Sequence, residues 1–495
     1  MDSPHQTLAP SRRTLLIGAG AAAIAAATTG PAAATTAAGA ASAAGTTSGG
    51  GTMSAAIIAS ATTAGATSAA GATSAGVGAV PADVVVPSPD ELPLTGGPDF
   101  PIGLFWPPHP YASTPERFAE IKNAGFDFVI SGNYAGDGNI FTYQLGLARD
   151  AGLQMLISDD IQIRNMSRWF SISDTGTDFL SVTPAEAREL YTRARNAYGP
   201  YSSLAGFNFY DEPGAGWFGT LAKTLAISRE LAPQLLPYIN LFPSNDPAYY
   251  RSFVDVVKPS LISFDRYPLL SEDREDGNYF HNWTIVRDAA LHGDIPSWVF
   301  IQTLAYNSHR EPTAAELLWQ VNISLAYGAK GIQYFTYWTP EAARGEGFGP
   351  ALITVDGTRT SRYYAAKQIN TTWLHQVGRE LKPLISETVE HANETPLPNG
   401  TVGFTPTNLV PAISGDPVVA GTFRPRDTTS TDRWLLITNR SHTTRSRAVV
   451  SLNPQAVATA GVFHPGRQTY TPHRVGQIPI SLAPGAATLL KLTAQ

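Results

Sequence analysis

The chain of 495 residues is 43% hydrophobic and 15% charged, with a formal net charge of -6. That is enough apolar material for a large core and more than one domain. The mild acidity and the lack of a long basic run argue against nucleic acid as a partner. The chain has no cysteine, which excludes disulfides and thiolate metal sites.

Ser11-Arg12-Arg13-Thr14-Leu15-Leu16 precedes an alanine-rich run to Ala27. Paired arginines ahead of a weakly apolar segment read as a twin-arginine export signal over residues 1–34, with cleavage among the small residues near Ala32 to Ala34. The run is too short and too rich in small residues for a stable membrane span, so the expected mature protein is secreted or held at the cell surface. Residues 35–97 are mostly Ala, Thr, Ser and Gly. With few large side chains to offset ordering entropy, they read as a disordered linker.

From residue 98 to 385 short apolar runs alternate with amphipathic segments. Expected strands are Ile102 to Trp106, Phe126 to Ser131, Gln154 to Ser158, Gly206 to Tyr210, Leu236 to Leu241, Leu261 to Asp265, Trp298 to Gln302 and Gly331 to Trp338. Thr114-Pro115-Glu116, Thr183-Pro184-Ala185-Glu186 and Thr313-Ala314-Ala315-Glu316 open helices with capping signals. A last helix runs from about Ser361 to Leu381. Eight such units predict a (β/α)8 TIM barrel. No glycine-rich phosphate loop follows the first strand, which disfavours a doubly wound open sheet. From residue 386 to 495 helical signals vanish, and strands such as Trp434 to Thr438, Ala448 to Leu452 and Ala487 to Leu492 predict an antiparallel β-sandwich.

Reactive groups of such barrels gather where the strands end. The fourth strand ends in Asp211-Glu212-Pro213, because proline has no N–H with which to continue the ladder. A carboxylate there is partly desolvated, which favours its protonated form and suits a general acid. The other strand ends supply Trp106, His109, Asn133, Asp159, Asp160, Asp265, Tyr267, Gln302, Tyr306, Tyr337 and Trp338. Carboxylates can protonate a leaving oxygen and stabilise an oxocarbenium-like centre. Amides bind sugar hydroxyls, and flat aromatic faces cover the apolar side of a sugar ring. The set suits glycoside hydrolysis, with Glu212 as acid, Asp265 as nucleophile or base, Asp211 in support and the remaining residues binding carbohydrate. Asp159 and Asp160 serve equally well as turn caps, and Asp265 could pair with Arg266 or Lys258. No His/Asp/Glu set has metal-ligand spacing, so neither metal nor cofactor is expected. The Glu341 to Glu346 loop, with Gly345, Gly347 and Gly349 as hinges, reads as a lid.

Phe209-Tyr210-Asp211-Glu212-Pro213, Ser263-Phe264-Asp265-Arg266-Tyr267-Pro268 and the stretch from Ser324 to Trp338 resemble the clan A glycoside hydrolases, especially family 42-like, β-galactosidase-related bacterial proteins. The resemblance implies that Glu212 is the acid/base. It also implies a nucleophilic glutamate at the end of the seventh strand, where this chain has Gln302, which cannot form a glycosyl ester. Adjacent Asp211 and Glu212 also resemble hexosaminidases that use the substrate's own acetamido group. That likeness implies that Asp211 orients the acetamido group, Glu212 is the acid and Trp338 walls the pocket. A non-hydrolytic, sugar-binding barrel is the alternative from another class.

Overall fold

The computed structural model describes residues 86–175 and 180–495. The expected export signal, and the expected linker up to residue 85, lie outside the described residues. Folded structure begins earlier than the expected boundary at 98. Ser88 caps a single turn, Pro89–Glu91, and Leu92 is buried.

Eight parallel strands close into a barrel: β1 (Ile102–Phe105), β2 (Phe128–Ile130), β3 (Gln154–Ser158), β4 (Leu204–Asp211), β5 (Leu236–Leu241), β6 (Ile262–Asp265), β7 (Ser297–Gln302) and β8 (Gly331–Phe335). Their alternation divides the core into two layers. Phe128, Leu156, Tyr238, Trp298 and Phe300 fill the interior, while Val129, Ile157, Phe264, Val299 and Tyr334 face the helices. The capping signals act as expected: Thr114, Thr183 and Thr313 each accept from the backbone N–H three residues on. The last expected helix is broken once, at Asn370–Leu374, by a wider turn. There Asn370 accepts from Tyr334 and donates to the Ala124 carbonyl, so the helix locks onto the barrel.

Beyond the barrel, antiparallel strands from Ile385 to Ala494 form a six-stranded and a three-stranded sheet around an apolar core of their own, which includes Ile413, Ala448, Leu435 and Leu490. The fold is thus a TIM barrel with a C-terminal β-sandwich. The helix Ala314–Ala326 is buried along most of its length between the two parts. Trp319 donates to the Arg440 carbonyl, and Asn322 to that of Gly485. Among the described residues no helix is long and apolar enough to cross a membrane.

Candidate active site

A bulge in β4 builds the centre of the barrel mouth. Asn208 pairs with Tyr238 and Tyr210 with Ile239, so β4 advances two residues while β5 advances one. The extra residue shifts the parity of everything after it. Asn208 and Asp211, an odd number of positions apart, therefore both line the inner cavity. Glu212 follows with a left-handed backbone (φ 57°) and donates its N–H to the Asn240 carbonyl at 2.8 Å. Its side chain is half-buried.

Asp265 ends β6 at 1% exposure. Asn240 Nδ2 donates to Asp265 Oδ1 at 2.8 Å and to Asp211 Oδ1 at 3.3 Å, so one amide serves both carboxylates. Beneath it, Ser263 donates to Asn240 Oδ1 (3.0 Å), Gln333 to Ser263 (3.0 Å) and Tyr238 to Gln333 Oε1 (2.9 Å). This chain of buried bonds fixes which way the Asn240 amide points. Burial pushes the Asp211 carboxyl up from its ordinary range, against the opposing pull of Arg168 and the Asn240 bond. Burial also raises the Tyr267 and Tyr306 hydroxyls, and the charges of Asp265 and Glu212 raise both further. Both acids thus act on the same two rings. The cavity that Asp211 and Asn240 border, between Phe105, Tyr267 and Phe335, measures only about 20 Å³, the room one water needs.

The other expected site residues divide. Asp159 stays beside the acids but is ion-paired with Arg168 (2.8 Å), which also donates to the carbonyls of Phe209 and Asn208. Tyr267 and Tyr306 pack edge to face at the mouth. Trp106 is fully buried, with Arg344 over its ring at 4.1 Å. Its indole edge lies against Gly132, where a Cβ would stand 2.6 Å from the ring nitrogen, so only glycine fits.

Five of the others are held by structural contacts, and a sixth, Trp338, lines a different groove. Asp160 accepts from Gln162 and Ile163 as a helix cap, and from the Tyr198 hydroxyl at 2.7 Å. Asn133 holds the Pro107 carbonyl. His109 caps a turn and packs its ring, tilted, against Tyr111. The Gln302 amide nitrogen donates to the carbonyls of Leu269, Leu304 and Arg310, and its oxygen accepts from Leu269 N–H, which leaves no polar atom for a sugar hydroxyl. β8 ends at Phe335, earlier than expected. Tyr337 then packs outward against Phe126 and Tyr363, and Trp338 lines a separate groove beside Arg117. Arg266, a sequence-level partner for Asp265, is paired with Asp276 instead.

Two residues at the site carried different signals in the sequence. Asn240 is a polar residue in the otherwise apolar β5, two positions after inward-facing Tyr238, and that spacing marks it as inward. Arg168 lies in the excursion after β3, where no periodicity points to the mouth.

No protein-family model and no curated protein matches the sequence. Solved structures of similar fold include glycoside hydrolases. The β-galactosidase of Bacillus circulans sp. alkalophilus superimposes with a TM-score of 0.54 at 8% identity, over 80% of this chain and 99% of that one. A β-L-arabinopyranosidase of Geobacillus stearothermophilus gives 0.46 at 12% identity, over 80% and 97%. A family 30 xylanase of Clostridium acetobutylicum gives 0.42 at 13%, over 80% and 96%. At these identities the likeness is one of fold.

Proposed function

We propose that this protein is an exported glycoside hydrolase that cleaves O-glycosidic bonds of an oligo- or polysaccharide. The observation that carries the reading is the gathering of Asp211, Glu212 and Asp265 at the mouth of a closed barrel, two of them on one amide and two acting on the same tyrosines. In this reading Glu212 hands a proton to the departing oxygen. Asp265 stabilises the cationic anomeric carbon, by direct attack or by drawing a proton from water. Asp211 holds a hydroxyl of the reacting sugar. Gln302 is occupied by backbone groups, so the second acid is assigned to β6 rather than β7. The β-galactosidase of similar fold agrees with this reaction class, though not with a particular sugar. The paired arginines Arg12 and Arg13 support export.

The test is turnover of aryl glycosides and plant or bacterial cell-wall polysaccharides by the mature protein. Glu212→Gln is expected to slow hydrolysis of natural linkages by about 10²–10⁴-fold. Dinitrophenyl glycosides, whose leaving group needs no proton, should be affected far less. An unchanged rate on natural linkages would remove Glu212 from the role of acid.

A further inference from the structure

The segment after β8 packs against Trp106 and Tyr306, and it carries charged side chains there. The Gly349 N–H donates to the Ala305 carbonyl (2.7 Å) and the Asn307 N–H to that of Glu346 (3.2 Å), tying the segment to the loop after β7. Gly345 and Gly347 have φ of 86° and 67°, which a residue with a Cβ rarely adopts. Between these anchors Phe348 stacks on Tyr306 and leans on Trp106, and Arg344 lies over the faces of Trp106 and Tyr134.

Two buried polar atoms at this place, Glu346 Oε2 and the Tyr306 hydroxyl, have no hydrogen-bond partner among the described residues. They belong to one neighbourhood, since the Glu346 charge acts on Tyr306. A carboxylate oxygen buried without a donor is costly and calls for a partner that the chain itself does not supply. The Tyr306 hydroxyl can both donate and accept, whereas an ionised Glu346 only accepts. A sugar hydroxyl satisfies both at once. The Trp106 face, which adjoins Tyr306 through Phe348, is covered by a guanidinium that a sugar ring can replace.

We infer that Glu346 is a sugar-binding carboxylate carried by the lid, acting with Tyr306 on a hydroxyl of the bound ring, and that Arg344 is an exchangeable cover on Trp106. The ligand class follows from the charges. The charges of Asp265, Glu212 and Glu346 converge on Tyr306, Arg168 and Arg266 are committed to Asp159 and Asp276, and Arg344 offsets Glu346 only in part. Neutral sugars are accepted and uronic acids are repelled.

This inference rests on the glycosidase reading, and two measurements separate the fates of the two ideas. The first needs no ligand. Glu346→Gln supplies an amide in place of a charge that Arg344 only partly offsets and is expected to raise the melting temperature by about 1–2 °C. A fall would mean that Glu346 holds the lid in place, and would overturn the inference. The second is titration calorimetry of Glu212→Gln protein with cellotriose, xylotriose, β-1,4-galactotriose and trigalacturonic acid. A neutral trisaccharide should bind. Adding Glu346→Gln should weaken it about tenfold, Arg344→Ala should tighten it, and the uronic acid should not bind. Equal affinity with and without Glu346, binding of the acid alone, or no binding of any trisaccharide would each overturn the inference. Hydrolysis by the wild-type protein would still uphold the glycosidase reading in all three cases.

Discussion

Asp211 and Asp265 share one proton-bearing atom: Asn240 Nδ2 lies 3.3 Å from the first and 2.8 Å from the second. Without that amide, buried Asp265 and half-buried Asp211 would lack their shared donor, and one of them would be driven to hold a proton, as like charges in a shared site do. Asn240→Leu, which keeps the branched shape and removes the donor, is therefore expected to lower kcat/KM by about 10²-fold, a loss of roughly 3 kcal/mol. The acid limb of its pH profile should move upward, because the variant lacks a bond that holds Asp211 ionised. A profile that falls uniformly without moving would show that the amide matters only for packing.

Arg168 stabilises the same acid from the other side and ties β4 to the excursion after β3. Arg168→Ala removes two bonds to buried carbonyls and an ion pair with Asp159, for an expected cost of about 2–4 kcal/mol. The sign of its pH dependence follows from Asp211. A carboxyl whose folded pKa is raised binds its proton more tightly in the folded state, so it destabilises the fold as pH climbs through that pKa. Loss of Arg168 enlarges that penalty. The gap between variant and wild type in urea denaturation should be wider at pH 7 than at pH 4.

Gln302 provides a control on the missing seventh-strand acid. Gln302→Glu would turn an amide that donates to three carbonyls into a carboxylate with nothing to donate. The expected result is destabilisation of about 2–4 kcal/mol with no gain in turnover, measured by denaturant midpoint and by rate. A stable variant with raised activity would reassign the nucleophile to β7.

His442 joins the β-sandwich to the barrel through Glu275 (3.2 Å) and Glu316 (3.1 Å). Burial alone would lower its pKa, but the bonds to Glu275 and Glu316 override it and raise the imidazole to about 9. Its stabilising contribution is therefore fully present below the unfolded value near 6.5 and fades as pH rises through about 9. The two carboxylates are held below their ordinary range, so their contribution is lost as acid protonates them. Wild-type stability should fall by about 2–3 kcal/mol between pH 7 and pH 10. His442→Ala should be flatter across that window in a denaturant series.

Strand order, helix starts and the place of the carboxylates were legible along the chain, because each is a local matter. An apolar run bounded by a breaker must become a buried strand, a Thr-Pro or Thr-x-x-Glu start must cap a helix, and a carboxylate after such a run must emerge at the barrel mouth. What each strand-end residue does there was decided only in three dimensions. Gln302 and Asp160 are spoken for by backbone groups and a hydroxyl brought close by folding. Tyr337 and Trp338 turn outward because β8 stops at Phe335. Asp211 faces inward because of one extra residue in β4, whose existence depends on its pairing with β5. The reason is general. A side chain's direction and its remaining hydrogen-bonding capacity depend on neighbours distant in sequence, whereas the tendency to form the element that carries it does not.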